Sequence, residues 1–245
     1  MTTLRIGTWN VEYAAAATKN AARLARLRAE DADVWVLTET HDDLDLSRTH
    51  TPVRSVQRPT GRAGGRWTTV WSRGPVLQRL DVDDPIRTVA ALLESAAGRL
   101  VVYGTVLPWH SDLGPDPARP AKAWTEQDRV LPRQIAEWRR LGERYPGLPL
   151  VVAGDLNMNL GGKHHYGTAR GRARLREGLA ELGLVCATET ERLPEGWLRY
   201  PPIDHVLVPA AWGPRTRVVS AWEGTTAAGV RLSDHSGLVV EVGLL

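Results

Sequence analysis

An α/β (α+β) domain built on packed sheets is the expected architecture, and three patterns point to it. The chain opens strand–helix–strand, its middle breaks into short strands separated by turn residues, and its remainder alternates helices with buried-type strands. Leu4–Val11 alternates like a strand, with Leu4, Ile6 and Thr8 on one side. Lys19–Glu30 reads as a helix with Ala21, Leu24 and Ala25 along one stripe, Leu27 at its edge and Thr18 placed to cap it. Val34–Thr38 is nearly continuous in apolar residues, as a strand covered on both faces should be. If these two strands lie parallel in one sheet, the crossover is right-handed.

From Arg48 to Val106 the candidate strands are Trp67–Arg73, Val76–Leu80, Ile86–Leu93 and Leu100–Val106, with Gly61, Gly64 and Gly65 marking a flexible loop before the first. Ala121–Arg144 is mostly helical with Trp124, Leu131, Ile135 and Trp138 on one face, and Pro132 should kink or restart it. Leu150–Ala153 is another buried-type strand. Ala169–Leu182 is a helix with Leu175, Leu179 and Leu182 inward, stopped at Gly183. Strands near Ile203–Val208, Thr216–Trp222 and Gly237–Val242 complete the chain, with no internal repeat, linker or low-complexity block.

The 245 residues, 42% hydrophobic and 24% charged, suit one globular domain over residues 1–245 and exclude a disordered chain. No apolar run approaches the ~18 residues of a membrane span. The opening Met1–Ile6 runs straight into strand-like sequence without a secretion-signal pattern. One cysteine, Cys186, excludes an internal disulfide and a Cys-rich metal site, so a cytoplasmic protein is expected, monomeric by default. The net charge is only +3, but it is unevenly distributed. Arg48–Arg73 holds six arginines and no acid, whereas Glu30–Asp45 holds seven acids and no base. Leu160–Arg176 is likewise basic without an acid. Arginine's planar fork suits phosphate, although a generic basic surface would look the same.

Polar residues that are poor packing choices stand at the ends of these apolar strands: Asn10, Glu39, Asp155 and Asn157, Asp204 and His205, and Ser233-Asp234-His235. Alone, each has an ordinary reading; Gly-Asp-x-Asn is often an Asx turn. Ends of neighbouring strands can share a cleft, however, and together these groups would make a carboxylate-rich pocket with one histidine. His205, next along its strand from Asp204, should face the opposite side and is read as structural.

These residues resemble the endonuclease/exonuclease/phosphatase family, with its DNase I-like fold. The landmarks stand in order as Trp9-Asn10, Thr38-Glu39, Gly154-Asp155-Leu156-Asn157, Ile203-Asp204-His205 and Ser233-Asp234-His235, spanning nearly the whole chain. A given set of three fixed residues arises by chance in ~0.03 of chains this long, so several in order argue strongly for kinship. The resemblance implies a four-layer sandwich of two mainly antiparallel sheets flanked by helices. It implies a divalent-metal-dependent phosphoesterase that hydrolyses phosphodiester bonds, foremost a nuclease acting on nucleic acid. Hydrolysis of a small phosphorylated metabolite or lipid headgroup is the alternative. A non-catalytic phosphate-binding member is the third reading, against which the four carboxylates argue.

Within that frame Glu39 is the main ligand for Mg²⁺ (or Mn²⁺), with Asn10 and Asp234 nearby, since Mg²⁺ takes one or two carboxylates and keeps several waters. Asp155 orients or deprotonates the attacking water, held by Asn157, and His235 pairs with Asp204, as cation or as base. One position departs from the family's nucleases: Val106 stands where a Tyr or His contacts phosphate, and His110, beside Trp109, is the expected replacement. Lys163 and Tyr166, in a loop loosened by Gly161-Gly162, are further expected substrate contacts. Of the ten tryptophans, Trp35, Trp71 and Trp138 should be core, and Trp67, Trp109 and Trp197 exposed. Tyr200-Pro201-Pro202-Ile203 poorly matches the pocket of the abasic-site endonucleases, so abasic-site repair is not expected.

Overall fold

A computed structural model describes residues 2–59, 61–116, 118 and 120–244. Twelve strands form two six-stranded sheets among the described residues. The first contains β1 (Thr3–Asn10), β2 (Val34–His41), β3 (Thr51–Arg54), β4 (Gly65–Ser72), β11 (Thr216–Trp222) and β12 (Gly237–Gly243), in the order β11-β12-β1-β2-β4-β3. The second contains β5 (Val76–Leu80), β6 (Thr88–Ser95), β7 (Gly98–Val106), β8 (Leu150–Asp155), β9 (Leu184–Cys186) and β10 (Asp204–Pro209), in the order β5-β6-β7-β8-β10-β9. Each sheet has one parallel pair, β1 with β2 and β7 with β8, and is otherwise antiparallel. The two sheets therefore repeat one topology. The sequence shows no repeat because only the backbone path is shared.

Three apolar cores separate four layers. Between the sheets lie Leu4, Ile6, Val34, Val36 and Val70 of the first against Val89, Val102, Val151 and Val206 of the second. Outside the second sheet, α2 (Thr125–Arg144) and α3 (Ala169–Glu181) pack Leu131, Trp138, Leu175 and Leu179 onto Tyr103, Val152 and Leu207. Outside the first, Leu27 of α1 (Ala17–Glu30) joins Trp9, Trp35, Leu37, Trp71 and Trp222. Both faces of β2 and β8 are thus covered, which explains their unbroken apolar runs. Each such Val or Leu contributes about 1.5–3 kcal/mol by leaving water.

Several expectations are corrected. Thr18 does not cap α1; the helix begins at Ala17, and Ala16 precedes it without a side-chain cap. Its buried face is Asn20, Arg23 and Leu27, with Leu24 packed partly buried beside them, whereas Ala21 and Ala25 are exposed. Two polar residues go inward because they bind loops: Arg23 donates from Nε and Nη2 to the Leu232 carbonyl, and Asn20 donates to that of Ala14. Pro132 lies inside one continuous α2, on a half-buried flank where its missing N–H is tolerated. Trp124 is not on the helix face but precedes the helix in a left-handed conformation. Leu182 is only partly buried. The edge strands β3 and β9 were not anticipated, being four and three residues long with little to bury. No helix of the described residues is long and apolar enough to cross a membrane.

Candidate active site

The parallel pairs bring functional groups to one rim. Asn10 ends β1 beside Thr38 of β2, so Glu39 follows immediately. Asp155 ends β8, flanked by Val106 across the parallel pair and by Asp204 across the antiparallel one. Gly154 makes that approach possible: its φ is +131°, and a Cβ there would lie 2.0 Å from the Thr105 carbonyl oxygen. Glu39 and Asn157 both adopt left-handed backbone, φ +51° and +50°, a strain that persists only where surroundings fix it.

A hydrogen-bond web then joins the two sheets. The Asn10 carboxamide donates to Glu39 Oε1 at 3.1 Å and to Asp155 Oδ2 at 3.2 Å, and lies 3.5 Å from His235 Nε2. The Asn157 backbone N–H donates to Asp155 Oδ1 at 2.9 Å, and its side chain donates to the Leu107 carbonyl at 2.8 Å. His235 Nδ1 is 2.6 Å from Asp204 Oδ2, while Nε2 is 4.0 Å from Asp155 Oδ2. The loop carrying His235 is latched to β1. Ser233 Oγ donates to the Asn10 carbonyl at 2.6 Å and accepts from the His235 N–H at 3.0 Å. Trp9 Nε1 donates to the His235 carbonyl at 3.1 Å.

Burial decides the charges. It pushes the Asp155 carboxyl up to about 7, with the charges of Asp204 and Glu39 adding to the rise and His235 opposing it. Burial also works against a His235 cation, but Asp204 and Asp155 outweigh it and the imidazole is raised to about 10. Burial raises Glu39 too, against the opposing hydrogen bond from Asn10. His205 behaves as expected of a structural residue: burial lowers it to about 4, and it bonds Thr188 and the Met158 carbonyl, away from the rim.

The donor set fits a hard divalent cation. Two carboxylates raised by burial, Glu39 and Asp155, mark uncompensated negative charge, and Asp204 Oδ1 is buried without a hydrogen-bond partner. Ligand atoms of Asp155, Asp204 and His235 lie within 4.8 Å of one another, but an imidazole held as the cation has no lone pair to give, which leaves the carboxylate oxygens as the donors. Oxygen donors predominate, as Mg²⁺ or Mn²⁺ prefers.

Other expected residues are placed less centrally. Asp234 is half-exposed at the edge, 3.5 Å from Arg231, yet its charge acts on both Glu39 and His235. Tyr166 is half-buried; its hydroxyl accepts from the His110 N–H at 3.4 Å, and its phenol is raised by burial and by the charge of Asp155. His110 is exposed, with its ring 2.9 Å from Ser111 Oγ and edge-on to Trp124. Lys163 is exposed on its loop, where its carbonyl accepts from Asn159.

Trp67, expected to be exposed, is buried because Arg58 and Trp109 cover it. Trp109 is half-buried, 5.5 Å from Trp67 between ring centroids. Sequence reasoning missed the row these rings form with Tyr13, Arg58 and Arg87. Arg58 stacks 4.4 Å over Tyr13 and 3.9 Å over Trp67, and Arg87 lies 5.4 Å over Trp67. The run of six arginines was the available signal, but it does not say which one stacks.

Residues 7–235 match the Endonuclease/Exonuclease/phosphatase family, and the chain belongs to it, a family of metal-dependent hydrolases of phosphate esters. No curated protein matches the chain in sequence. Among solved structures it is similar to the 3'-5' exonuclease NExo of Neisseria meningitidis, with TM-score 0.68, 19% identity, and 98% of this chain and 100% of that one covered. An AP endonuclease of Archaeoglobus fulgidus gives TM-score 0.68 at 16% identity, with the same coverage. The endonuclease domain of TRAS1, a telomere-specific non-LTR retrotransposon, gives 0.62 at 19%, covering 99% of both chains. At such identities these likenesses establish the shared DNase I-like fold.

Proposed function

We propose that this protein is a nuclease, cleaving phosphodiester bonds of nucleic acid with Mg²⁺ or Mn²⁺. The observation that carries the reading is the Asn10–Glu39–Asp155–Asp204–His235 web, which brings groups from both sheets within hydrogen-bond reach of one another at one rim. The row of arginines and aromatic rings beside it suits a backbone and its bases better than an isolated phosphate. The similar structures are described as an endonuclease domain, a 3'-5' exonuclease and an AP endonuclease, and NExo also as a 3' phosphatase bound to a product DNA hairpin.

In this proposal Asp155 accepts the proton of the attacking water as the water oxygen bonds to phosphorus and the bond from phosphorus to the leaving sugar oxygen breaks, that oxygen taking a proton from solvent. A carboxyl raised to about 7 is basic enough to do so near neutrality, and Asn157 fixes its orientation. His235 acts as a cation: Asp204 holds Nδ1, leaving Nε2–H to donate to a phosphoryl oxygen as negative charge develops. Asn10 aligns Glu39 with Asp155. A divalent cation would be held by Glu39, with Asp234 beside it, and would neutralise the phosphate charge; Asn10, whose NH2 faces Glu39 and Asp155 while its oxygen accepts from the Glu12 N–H, would ligate it only with the amide turned over. Trp109, His110, Lys163 and Tyr166 are the further substrate contacts in this reading. His110 stands in for the donor absent at Val106.

The test is cleavage of labelled DNA and RNA oligonucleotides with Mg²⁺ or Mn²⁺, with and without EDTA. The expected result is metal-dependent cleavage that weakens steeply with salt and falls about 10²–10⁴-fold in Asp155→Asn. Cleavage that survives EDTA, or an Asp155→Asn variant as fast as the parent, would contradict the assignment.

A further inference from the structure

Among the six arginines between Arg48 and Arg73, most are neutralised by acids. Arg54 and Arg66 pair with Asp42, Arg62 with Asp43, and Arg73 with Asp31 and Asp33. Arg48 is exposed. Arg58 differs from all of them: it is half-buried, no acid lies within salt-bridge distance of it among the described residues, and its guanidinium is clamped between two rings. The two rings hold the guanidinium in place, and with no carboxylate to neutralise it the charge is available to an anion.

The backbone is shaped for this clamp. Glu12, Tyr13 and Ala14 are three consecutive non-glycine residues with positive φ, at +48°, +61° and +31°. Such strain survives where surroundings over-determine it, and it commonly marks ligand clamps. Beside the clamp opens a cleft of about 350 Å³, lined by Tyr13, Ala15, His41, Arg58 and Arg62. That volume is in the range of pockets that hold one small ligand group. The cleft adjoins the catalytic rim, since Tyr13 and Arg58 both interact electrostatically with Glu39.

We propose that Arg58, stacked between Tyr13 and Trp67, forms a second anion subsite that binds the phosphate next to the scissile one in a polynucleotide. The proposal rests on the nuclease reading above and deepens it. The exposed ring of Tyr13 and the cleft behind it receive the adjoining nucleoside. A substrate with a single phosphate engages the Asp155–His235 rim but has nothing to place against Arg58.

Arg58→Ala, Arg58→Lys and the surface control Arg48→Ala are compared on a labelled DNA oligonucleotide and on bis(4-nitrophenyl) phosphate, a diester with one phosphate. The expected result for Arg58→Ala is an oligonucleotide KM raised about tenfold, with the slope of log(kcat/KM) against log[salt] reduced by about one. The loss on the small diester is smaller than that on the oligonucleotide, because a single phosphate places nothing against Arg58. Arg58→Lys recovers part of the oligonucleotide loss, because it restores charge without the planar fork, and Arg48→Ala behaves like the parent. Equal losses on both substrates, or no loss on the oligonucleotide from either Arg58 variant, overturn the subsite while leaving the nuclease reading intact. If the parent hydrolyses the small diester and not the oligonucleotide, the nuclease reading itself falls and the subsite with it.

Discussion

Ser233 illustrates how single side chains hold the rim together. Its hydroxyl ties the Asn10 carbonyl to the His235 N–H, so one oxygen sets the distance between the first strand and the loop that carries the imidazole. Removing it in Ser233→Ala frees both groups. We expect kcat to fall about 10- to 100-fold with KM little changed, and unfolding stability to fall by about 1–2 kcal/mol. A variant with the parent's kcat would show that the latch does not position His235. Cys186 is the opposite case: burial raises its thiol to about 12, and native protein should resist thiol-alkylating reagents until unfolded. Rapid labelling under native conditions would contradict that burial. The acids and histidine at the centre were legible in the sequence, since ionisable groups ending apolar runs have no packing reason to be there. Arg58 was not, because only the folded positions of Asp42 and Asp43 reveal which neighbouring arginines are neutralised.

At the scale of elements, the central strands carry their own signature and the edges do not. Val34–His41 and Leu150–Asp155 are covered on both faces, and their apolar runs announced them. The edge strands β3 and β9 bury one face of three or four residues and left no pattern to find. Helix α1 misled periodicity by one residue because its inward face is built from Asn20 and Arg23, whose hydrogen bonds replace apolar contact. The close contact of β7 and β8 depends on Gly154. Gly154→Ala would meet the Thr105 carbonyl and force a left-handed backbone, so we expect a loss of about 2–4 kcal/mol in urea unfolding. A loss below about 0.5 kcal/mol would mean that the two strands part easily there.

Over the whole molecule, two sheets of one topology lie face to face, and the ends of their parallel pairs meet at one rim. The layered arrangement followed from the resemblance, whereas the topological repeat is invisible in residue identities. The same packing that buries the rim's supports makes stability depend on pH. His205 is held neutral, at about 4 against an ordinary value near 6.5, so the unfolded chain binds a proton that the folded protein refuses. Its contribution is fully present above pH ~6.5 and is lost as pH falls towards 4, on the order of 3 kcal/mol in all. Urea unfolding of His205→Gln should show a shallower loss between those limits than the parent; identical slopes would place the proton elsewhere.

The central claim, that groups from different sheets act together on one phosphorus atom, is tested most directly by a double-mutant cycle on oligonucleotide cleavage. Glu39→Gln removes a carboxylate of the first sheet and Asp155→Asn one of the second. The account predicts that the double variant is about as slow as the slower single variant, because residues acting as a unit are strongly non-additive. A double variant whose loss equals the product of the two single losses would contradict it.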